Sequence, residues 1–453
     1  MPKGKNHYVP QLYLRRFSSK PRKIHVYHIR SGRSIFDVGL RDQCQRHKFY
    51  GSDGKVEDRL AEFEGEVAPI LNRIIDSQIL PNHDSRDYLY VLSFLALQLV
   101  RTPSAIDDFS DGTEKMLQLA FQGSPEASER IAALRPSKEE GLQFHIGMAL
   151  ELSKVLADLG SVLVSVQGPM PLITSDNPAV RYNPYCEGVQ GVGVTGLISS
   201  GFLLFLPLSP KCLLLLYDKH VYRIKSATAG LVETIDASDV FQLNMLQAVY
   251  ADNVVLFSDQ SYSEPVSDLF KKARRMRPVI EPHVEEFVAD DDPKHSSLLA
   301  LHAPMPNLKL RLSFLSIRTK ARRVVLVDRA REHRQTAYIP RYDYPPPPPD
   351  SPGDSYFPTA EARRSVEPWR TLENQRQICE HCVSAIARET RLILLVSASF
   401  YVHTTDIEWW LRASDINQTK YANINALHVS GQHDVSFTMY LSSVHFRSRF
   451  PRA

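Results

Sequence analysis

The sequence has few cysteines and no apolar run long enough to cross a membrane. Five of its 453 residues are cysteine, and an odd number of widely spaced cysteines argues against a disulfide framework. Long apolar runs such as Cys212–Tyr217 fall well short of the about 20 residues that span a bilayer. The first residues are basic and polar, without the apolar core of a secretory signal. We therefore expect a soluble, intracellular protein, located in the cytoplasm and without a membrane partner.

Several motifs that identify common enzyme classes are also missing. The sequence contains no His-x-x-x-His pair, no P-loop and no Gly-x-Ser-x-Gly elbow, which excludes the easily recognised metalloproteases, P-loop proteins and α/β-hydrolases. The glycines of residues 188–201 precede no predicted helix, so we interpret this stretch as a flexible loop. Cys379 and Cys382 provide only half of a zinc site, and we interpret the pair as incidental.

Positive charge is concentrated in two stretches, although the net charge of the whole chain is only +3. Residues 1–50 contain twelve lysines and arginines against two acidic residues, which gives a local charge of +10. Residues 309–334 contain nine basic residues against two acidic ones, a local charge of +7. Because charge runs are usually solvated surfaces, the excess alone does not identify a partner.

Hydrophobic periodicity predicts an α+β fold for the first 260 residues. Apolar residues recur at steps of three and four between positions 56 and 159, which predicts helices, one of them capped by Asp84 and Ser85. From residue 161 the pattern becomes that of strands, with a hairpin formed by residues 202–206 and 212–217. We therefore predict a helical cluster packed on an antiparallel sheet.

Composition divides the chain into three parts. Residues 1–265 form the predicted α+β domain. Residues 266–365 contain opposite charge blocks and a polyproline run, so we predict a charged and Pro-rich linker that is largely disordered. Residues 366–453 form a small C-terminal region of uncertain fold, in which residues 372–388 are the one predicted helix.

The N-terminal segment resembles a known family. Residues 6–17 have the sequence Asn-His-Tyr-Val-Pro-Gln-Leu-Tyr-Leu-Arg-Arg-Phe, which is similar to the opening motif of domain-of-unknown-function family 4238. The similarity continues in the expected order through residues 98–103, 174–178 and 207–210. It covers about residues 5–260, and it implies a single domain there without implying an activity.

His7 lies at the start of this motif. Its neighbours Tyr8, Val9 and Pro10 form a local frame that would hold the imidazole rigidly. A histidine in such a frame can act as a general base or as a metal ligand. The structural alternative is a histidine packed between Tyr8 and Tyr13, with its ring nitrogens bonded to the backbone.

Asp176 follows a short apolar strand predicted at residues 172–174. Carboxylates at strand ends occur in hydrolytic sites, where Asp176 would serve as a base or metal ligand. A metal site would combine it with His7 and with Glu64 or Glu57, ligands suited to Mg²⁺, Mn²⁺ or Zn²⁺. The alternative is a tight turn, in which Asp and Asn before a proline bond their own backbone. A divalent metal is the one cofactor that these residues suggest.

Gln98 and Arg101 are three residues apart on a predicted helix, so they share one face. Arg101 would bind a phosphate in a forked arrangement or pair with a glutamate of the neighbouring helix, such as Glu64. Of these two interpretations the sequence favours the structural ion pair.

The basic N-terminus mixes cations with aromatic residues, a combination that suits a nucleic-acid backbone. Lys5, Arg15 and Arg16 are the predicted nucleic-acid contacts.

Two hypotheses of function follow. The first is nucleic-acid binding or metal-dependent phosphodiester hydrolysis, with His7 as base or ligand, Asp176 as ligand and Arg101 as phosphate clamp. The second is a non-enzymatic interaction module, in which the same motif residues maintain the fold.

Overall fold

The computed structural model describes most of residues 4–329 and a few short pieces beyond. The described residues are 4–51, 54–107, 142, 146, 147, 149, 152–189, 194–225, 227–234, 236–277, 283–288, 297–302, 305–329, 334, 428–430 and 434–436. The helix predicted at 372–388, the polyproline run and the pair Cys379 and Cys382 lie outside them.

The described helices and strands have the following bounds. The helices are α1 (Gln11–Leu14), α2 (Lys55–Ser77), α3 (Arg86–Val100), α4 (Ala237–Tyr250), α5 (Ser263–Ala273), α6 (Thr319–Arg322) and α7 (Leu326–Arg329). The strands are β1 (Lys5–His7), β2 (Lys23–His28), β3 (Arg33–Gly39), β4 (Gln45–His47), β5 (Gly160–Val166), β6 (Thr174–Ser175), β7 (Val180–Tyr182), β8 (Leu203–Ser209), β9 (Cys212–Tyr217), β10 (Tyr222–Ile224), β11 (Leu231–Thr234), β12 (Val254–Phe257), β13 (His283–Val288), β14 (Ser297–His302), β15 (Leu315–Ile317), β16 (His428–Ser430) and β17 (Asp434–Ser436). None of the described helices is long and apolar enough to cross a membrane.

Two larger sheets form the centre of the fold. One has the strand order β11-β5-β9-β8-β7, and the other has the order β3-β2-β12-β6. The second sheet is antiparallel throughout, whereas the first contains one parallel pair, β11 with β5. Parallel strands need a long connection, and here β6 to β10 lie between the two partners. The α+β prediction is confirmed, with two sheets where the sequence predicted one.

Helices cover both faces of the five-stranded sheet. Leu204 and Leu206 of β8 belong to an apolar cluster with α2 and α3. Leu203 and Phe205, which point to the opposite face, belong to a second cluster with α4 and α5. A strand buried on both faces has a continuous apolar sequence, which is why the predicted hairpin β8–β9 is so hydrophobic.

The N-cap residue predicted from the sequence is the observed one in α3, whereas in α4 the observed N-cap lies two residues before the predicted one. The side-chain oxygen of Ser85 accepts the backbone N–H of Tyr88 at 3.2 Å, so the predicted cap of α3 is confirmed. A cap at Ser238 is also predicted, but α4 begins one residue after Asp236, whose carboxylate accepts the N–H of Ser238 at 2.7 Å.

Residues 194–201 of the glycine-rich stretch are buried. The Asn183 side chain donates to the carbonyl oxygens of Val194 and Ser200 at 2.5 and 2.9 Å, and Leu197 lies in the core. Gly201 has a φ of +78°, and a Cβ there would lie 2.5 Å from Cβ of Tyr185, so only glycine fits. The prediction of a flexible loop is therefore wrong for residues 194–201.

Part of the predicted linker belongs to the core. Leu308, Leu310, Leu312 and Phe314 are buried in the second apolar cluster, and β15 pairs with β10. These apolar residues alternate with polar ones, as in a strand. Because the segment is strongly basic, its composition resembles that of a charged linker, and the alternation was overlooked. The prediction of disorder is therefore wrong for residues 305–329, while the division of the chain at residue 265 stays a prediction.

The described segments that precede β13 and follow β14 are joined by a hydrogen bond. The backbone N–H of Asn307 donates to the carbonyl oxygen of Met276 at 2.9 Å. The intervening residues include the hairpin formed by β13 and β14.

Candidate functional site

Two of the predicted site residues, Arg101 and Glu64, meet beside the backbone of Tyr8. Nη1 of Arg101 donates to Oε1 of Glu64 at 2.9 Å, and Nε of Arg101 donates to the carbonyl oxygen of Tyr8 at 2.6 Å. The Arg101 side chain is fully buried, whereas that of Glu64 is 22% exposed. The favoured interpretation of Arg101, an ion pair with the neighbouring helix, agrees with these contacts.

A further set of contacts joins the N-terminus to the first turn of α2. The side-chain amide of Asn6 donates to Oε2 of Glu57 at 2.5 Å, and the hydroxyl of Tyr50 donates to the carbonyl oxygen of His7 at 2.9 Å. Burial raises the pKa of Tyr50 to about 12, so this phenol stays protonated and remains a donor. We define the polar junction as Asn6, His7, Tyr50, Glu57, Glu64 and Arg101.

His7 is half-buried in the polar junction. Its Nε2 lies 3.1 Å from the carbonyl oxygen of Arg41, to which it donates. Burial lowers the pKa of His7; the Arg41 carbonyl opposes this shift, and the nearby charge of Arg101 adds to it. A neutral imidazole is therefore the favoured state at pH 7. The backbone bond expected in the structural interpretation of His7 is present, with Arg41 as its partner.

We expect acid to destabilise the fold partly through His7. Because its pKa in the folded state lies below the ordinary value of 6.5, the unfolded state takes up the proton first as the pH falls. The stability contributed by the neutral ring is therefore present above about pH 6.5 and is lost below it. A His7→Gln variant keeps an N–H donor for Arg41 but cannot titrate, so it should lose less stability between pH 7 and pH 5.

Urea unfolding of both proteins at the two pH values measures this difference. Equal losses in the wild type and His7→Gln would show that the ring does not titrate in this range with a lowered pKa.

The side chain of Asp176 is bound by backbone N–H groups of another segment. Its two carboxylate oxygens accept the backbone N–H groups of Asp252, Asn253 and Val254 at 2.9, 2.6 and 3.2 Å. Burial raises the pKa of Asp176 to about 6, although the three N–H donors favour the ionised form and oppose this shift. The carboxylate fastens the start of β12 to the end of β6. The sequence suggested a bond to the local backbone, but these partners lie 76 to 78 residues away.

Among the described residues, neither Asp176 nor Glu64 lies in a group of side chains that could bind a metal ion. Within the part of the chain that the structure describes, no group of three His, Cys, Asp or Glu side chains could hold a metal ion. Both oxygens of Asp176 accept hydrogen bonds, and Glu64 binds Arg101. A metal site built on Asp176 and Glu64 stays a prediction from the sequence.

The three predicted nucleic-acid contacts differ in availability. Lys5 is exposed and forms an ion pair with Asp42 at 2.7 Å, and Arg15 is exposed. Arg16 donates to the side-chain oxygen of Asn72 at 2.8 Å. Burial lowers the pKa of Arg16 to about 10. Arg16 thus contributes to packing against α2, whereas Lys5 and Arg15 face solvent.

Exposed side chains, most of them cationic, lie on both faces of the two-stranded sheet formed by β1 and β4. In the antiparallel register Lys5 lies opposite His47, and Asn6 lies opposite Arg46. The guanidinium carbon of Arg46 lies 5.9 Å from the centre of the Phe49 ring. We define the β1–β4 surface by one half-buried aromatic ring and five exposed side chains, namely Phe49, Lys5, Arg41, Arg46, His47 and Lys48.

The chain belongs to a family without an assigned activity. The family described as protein of unknown function (DUF4238) matches residues 5–261, which is more than half of the chain and contains the polar junction, Asp176 and the β1–β4 surface. No curated protein and no solved structure matches the chain.

Proposed function

We propose that the protein binds nucleic acid through the β1–β4 surface. The observation that carries the proposal is the grouping of exposed Lys5, Arg41, Arg46 and Lys48 around one small sheet. Asp42, the ion-pair partner of Lys5, brings a single negative charge to this group. A cluster of this kind attracts phosphates and releases their counterions, which makes binding depend strongly on salt.

Phe49 supplies a surface on which a base could stack. Its ring lies beside Tyr8 and Tyr50, with ring centres 5.8 and 5.2 Å apart, which fixes its position. Arg46 lies over the same ring. Aromatic rings beside cations are typical of surfaces that bind single strands with little sequence preference, so single-stranded nucleic acid is the proposed ligand.

The proposal is for binding without hydrolysis. The carboxylate of Asp176 accepts three backbone hydrogen bonds, and Arg101 is buried against Glu64 and Tyr8. These contacts support a structural role for both residues. Hydrolysis would need a metal-ligand set beyond them.

Charge reversal on this surface should weaken binding. In the triple variant Arg41→Glu, Arg46→Glu and Lys48→Glu, three contacts with phosphate are lost and repulsion replaces them. We expect affinity for a single-stranded oligonucleotide to fall about 30-fold or more. The slope of log affinity against log salt should decrease by about 2, since each single-strand contact contributes about 0.7. Fluorescence anisotropy over a salt series measures both quantities.

A second triple variant controls for net charge. Lys309→Glu, Lys320→Glu and Arg323→Glu reverse three exposed cations of residues 305–329. This segment follows the residues that match the family. This variant should retain most of the wild-type affinity. Equal losses of affinity in the two variants would mean that nucleic acid does not bind at the β1–β4 surface. An affinity of the wild type too weak to measure at low salt would favour the interaction-module hypothesis.

A further inference from the structure

Residues that match the family form a groove that holds a later segment of the same chain. The match covers residues 5–261. The groove side chains are Tyr182 and Glu187, at and shortly after the end of β7, and Asp239 and Gln242, three positions apart on α4. We define the strap as residues 308–317, the segment in this groove, and the strap groove as these four side chains together with β10.

The strap groove binds the strap largely by its backbone. The hydroxyl of Tyr182 donates to the carbonyl oxygen of Leu308, and the carboxylate of Glu187 accepts the N–H of Leu310 at 3.0 Å. Nearly every residue carries these two backbone groups. The contacts therefore select an extended conformation more than a particular sequence.

Helix α4 continues this pattern over the next residues of the strap. The Gln242 amide accepts the N–H of Arg311 at 2.5 Å and also donates to the carbonyl oxygen of the same residue. The Asp239 carboxylate accepts the N–H of Ser313 at 2.7 Å. Gln242 thus bonds both backbone groups of one residue, as a residue of a neighbouring antiparallel strand would.

The side chains of the strap alternate between the core and solvent. The second apolar cluster contains Leu308, Leu310, Leu312 and Phe314, and the exposed residues between them are Lys309, Arg311 and Ser313. The strap ends in β15, which pairs with β10 in antiparallel register. Several domains bind extended peptides in this way, with backbone hydrogen bonds and with pockets for alternate side chains.

The strap groove and its occupant have complementary charge. Nη2 of Arg311 lies 2.7 Å from Oε2 of Glu187, and Asp239 is a second acidic side chain of the groove. The strap belongs to the basic stretch of residues 309–334, whose local charge is +7. Complementary charge favours a basic occupant over an acidic one.

We propose that the strap groove binds an extended, basic segment of a partner protein, with apolar residues at alternate positions, and that the strap competes with this segment within the chain. The groove shares no residue with the β1–β4 surface. The proposal is therefore independent of nucleic-acid binding.

The strap is suited to such an exchange because one side of it faces solvent. The hydrogen bonds between Gln242 and Arg311 are exposed, whereas every residue of β8 is buried. Segments with exposed backbone hydrogen bonds and few buried contacts open locally at a lower cost in free energy than the core.

Hydrogen exchange in the full-length wild type tests whether the strap opens by itself. We expect the amides of Leu310, Arg311 and Ser313 to exchange at least about 100-fold faster than those of β8 and β9, since local opening precedes global unfolding. Exchange of the strap at the same rate as β8 and β9 would overturn the inference, because the strap would then be a permanent part of the core.

A fluorescent synthetic peptide of residues 305–318 is the probe for binding. In the wild type the strap competes with it at an effective concentration on the order of 1 mM. In the full-length double variant Leu310→Asp and Leu312→Asp, the strap loses two apolar contacts with the core. For an intrinsic dissociation constant of about 10 µM, the peptide should bind this variant about 100-fold more tightly than the wild type. Fluorescence anisotropy measures both affinities, and circular dichroism checks the fold.

Lys309→Asp is the matched control, because it changes the net charge by the same amount at an exposed position of the strap. This control should bind the peptide as weakly as the wild type does. Adding Gln242→Ala to the double variant should weaken binding about 10-fold, since two hydrogen bonds to the peptide backbone are lost.

Equal affinity of the wild type and the folded double variant for the peptide would overturn the inference. An unchanged affinity after Gln242→Ala would also overturn it, because the peptide would then bind outside the strap groove. If the double variant does not fold, the exchange rates of the wild type decide.

Discussion

Replacing Asp176 by alanine is expected to lower the free energy of unfolding by about 3–5 kcal/mol. Three backbone N–H groups would lose a charged acceptor at once, and each buried donor left unpaired costs about 1–3 kcal/mol before water enters. Burial of the carboxylate opposes part of this loss, since the pKa of Asp176 is raised to about 6. Urea unfolding at pH 7 measures the change.

Asp252→Ala provides the comparison for Asp176. Asp252 is exposed, and within the described ranges its carboxylate accepts a side-chain hydrogen bond from Asn253, so its loss should cost less than about 0.5 kcal/mol. An Asp176→Ala protein that melts like the wild type, yet has lost nucleic-acid binding, would instead support a direct functional role for the carboxylate.

Replacing Arg101 by methionine should cost about 2–4 kcal/mol. The change leaves the carbonyl oxygen of Tyr8 and the carboxylate of Glu64 without their donor. Breaking a fully buried ion pair costs about 3–5 kcal/mol. The expected value here is lower, because the Glu64 side chain is 22% exposed and water can solvate it.

A double-mutant cycle with Glu64→Gln isolates the contact between the two side chains. We expect a coupling energy of about 1–3 kcal/mol. The pair of Arg59 and Glu62 on the exposed face of α2 is the matched control, for which the same cycle should give about 0.5 kcal/mol or less. Similar coupling in the two pairs would mean that burial adds nothing at the polar junction.

Local features of the fold could be predicted because their causes are local. The cap of α3 depends on Ser85 and the backbone three residues later. The β8–β9 hairpin depends on two apolar runs joined by a short turn. In both cases the residues that make the contact are close together in the sequence.

The candidate site could be predicted only in part. An ion pair of Arg101 with a glutamate of the neighbouring helix could be expected, since a buried arginine needs a carboxylate nearby, and the structure shows Glu64 as the partner. The contact between Asn6 and Glu57 spans 51 positions, and no periodicity links residues so far apart. Asp176 occupies a turn where local bonding is the usual chemistry, so its distant partners could not be recognised. Asn6 lies in the N-terminal motif, and that motif was the signal in the sequence for the contact with Glu57.

The hydrogen bond between Met276 and Asn307 joins the described segments that precede β13 and follow β14. The free energy of closing a connection changes only slowly with its length. We therefore expect short insertions or deletions between these two residues to leave Leu308, Leu310 and Leu312 packed in the second apolar cluster.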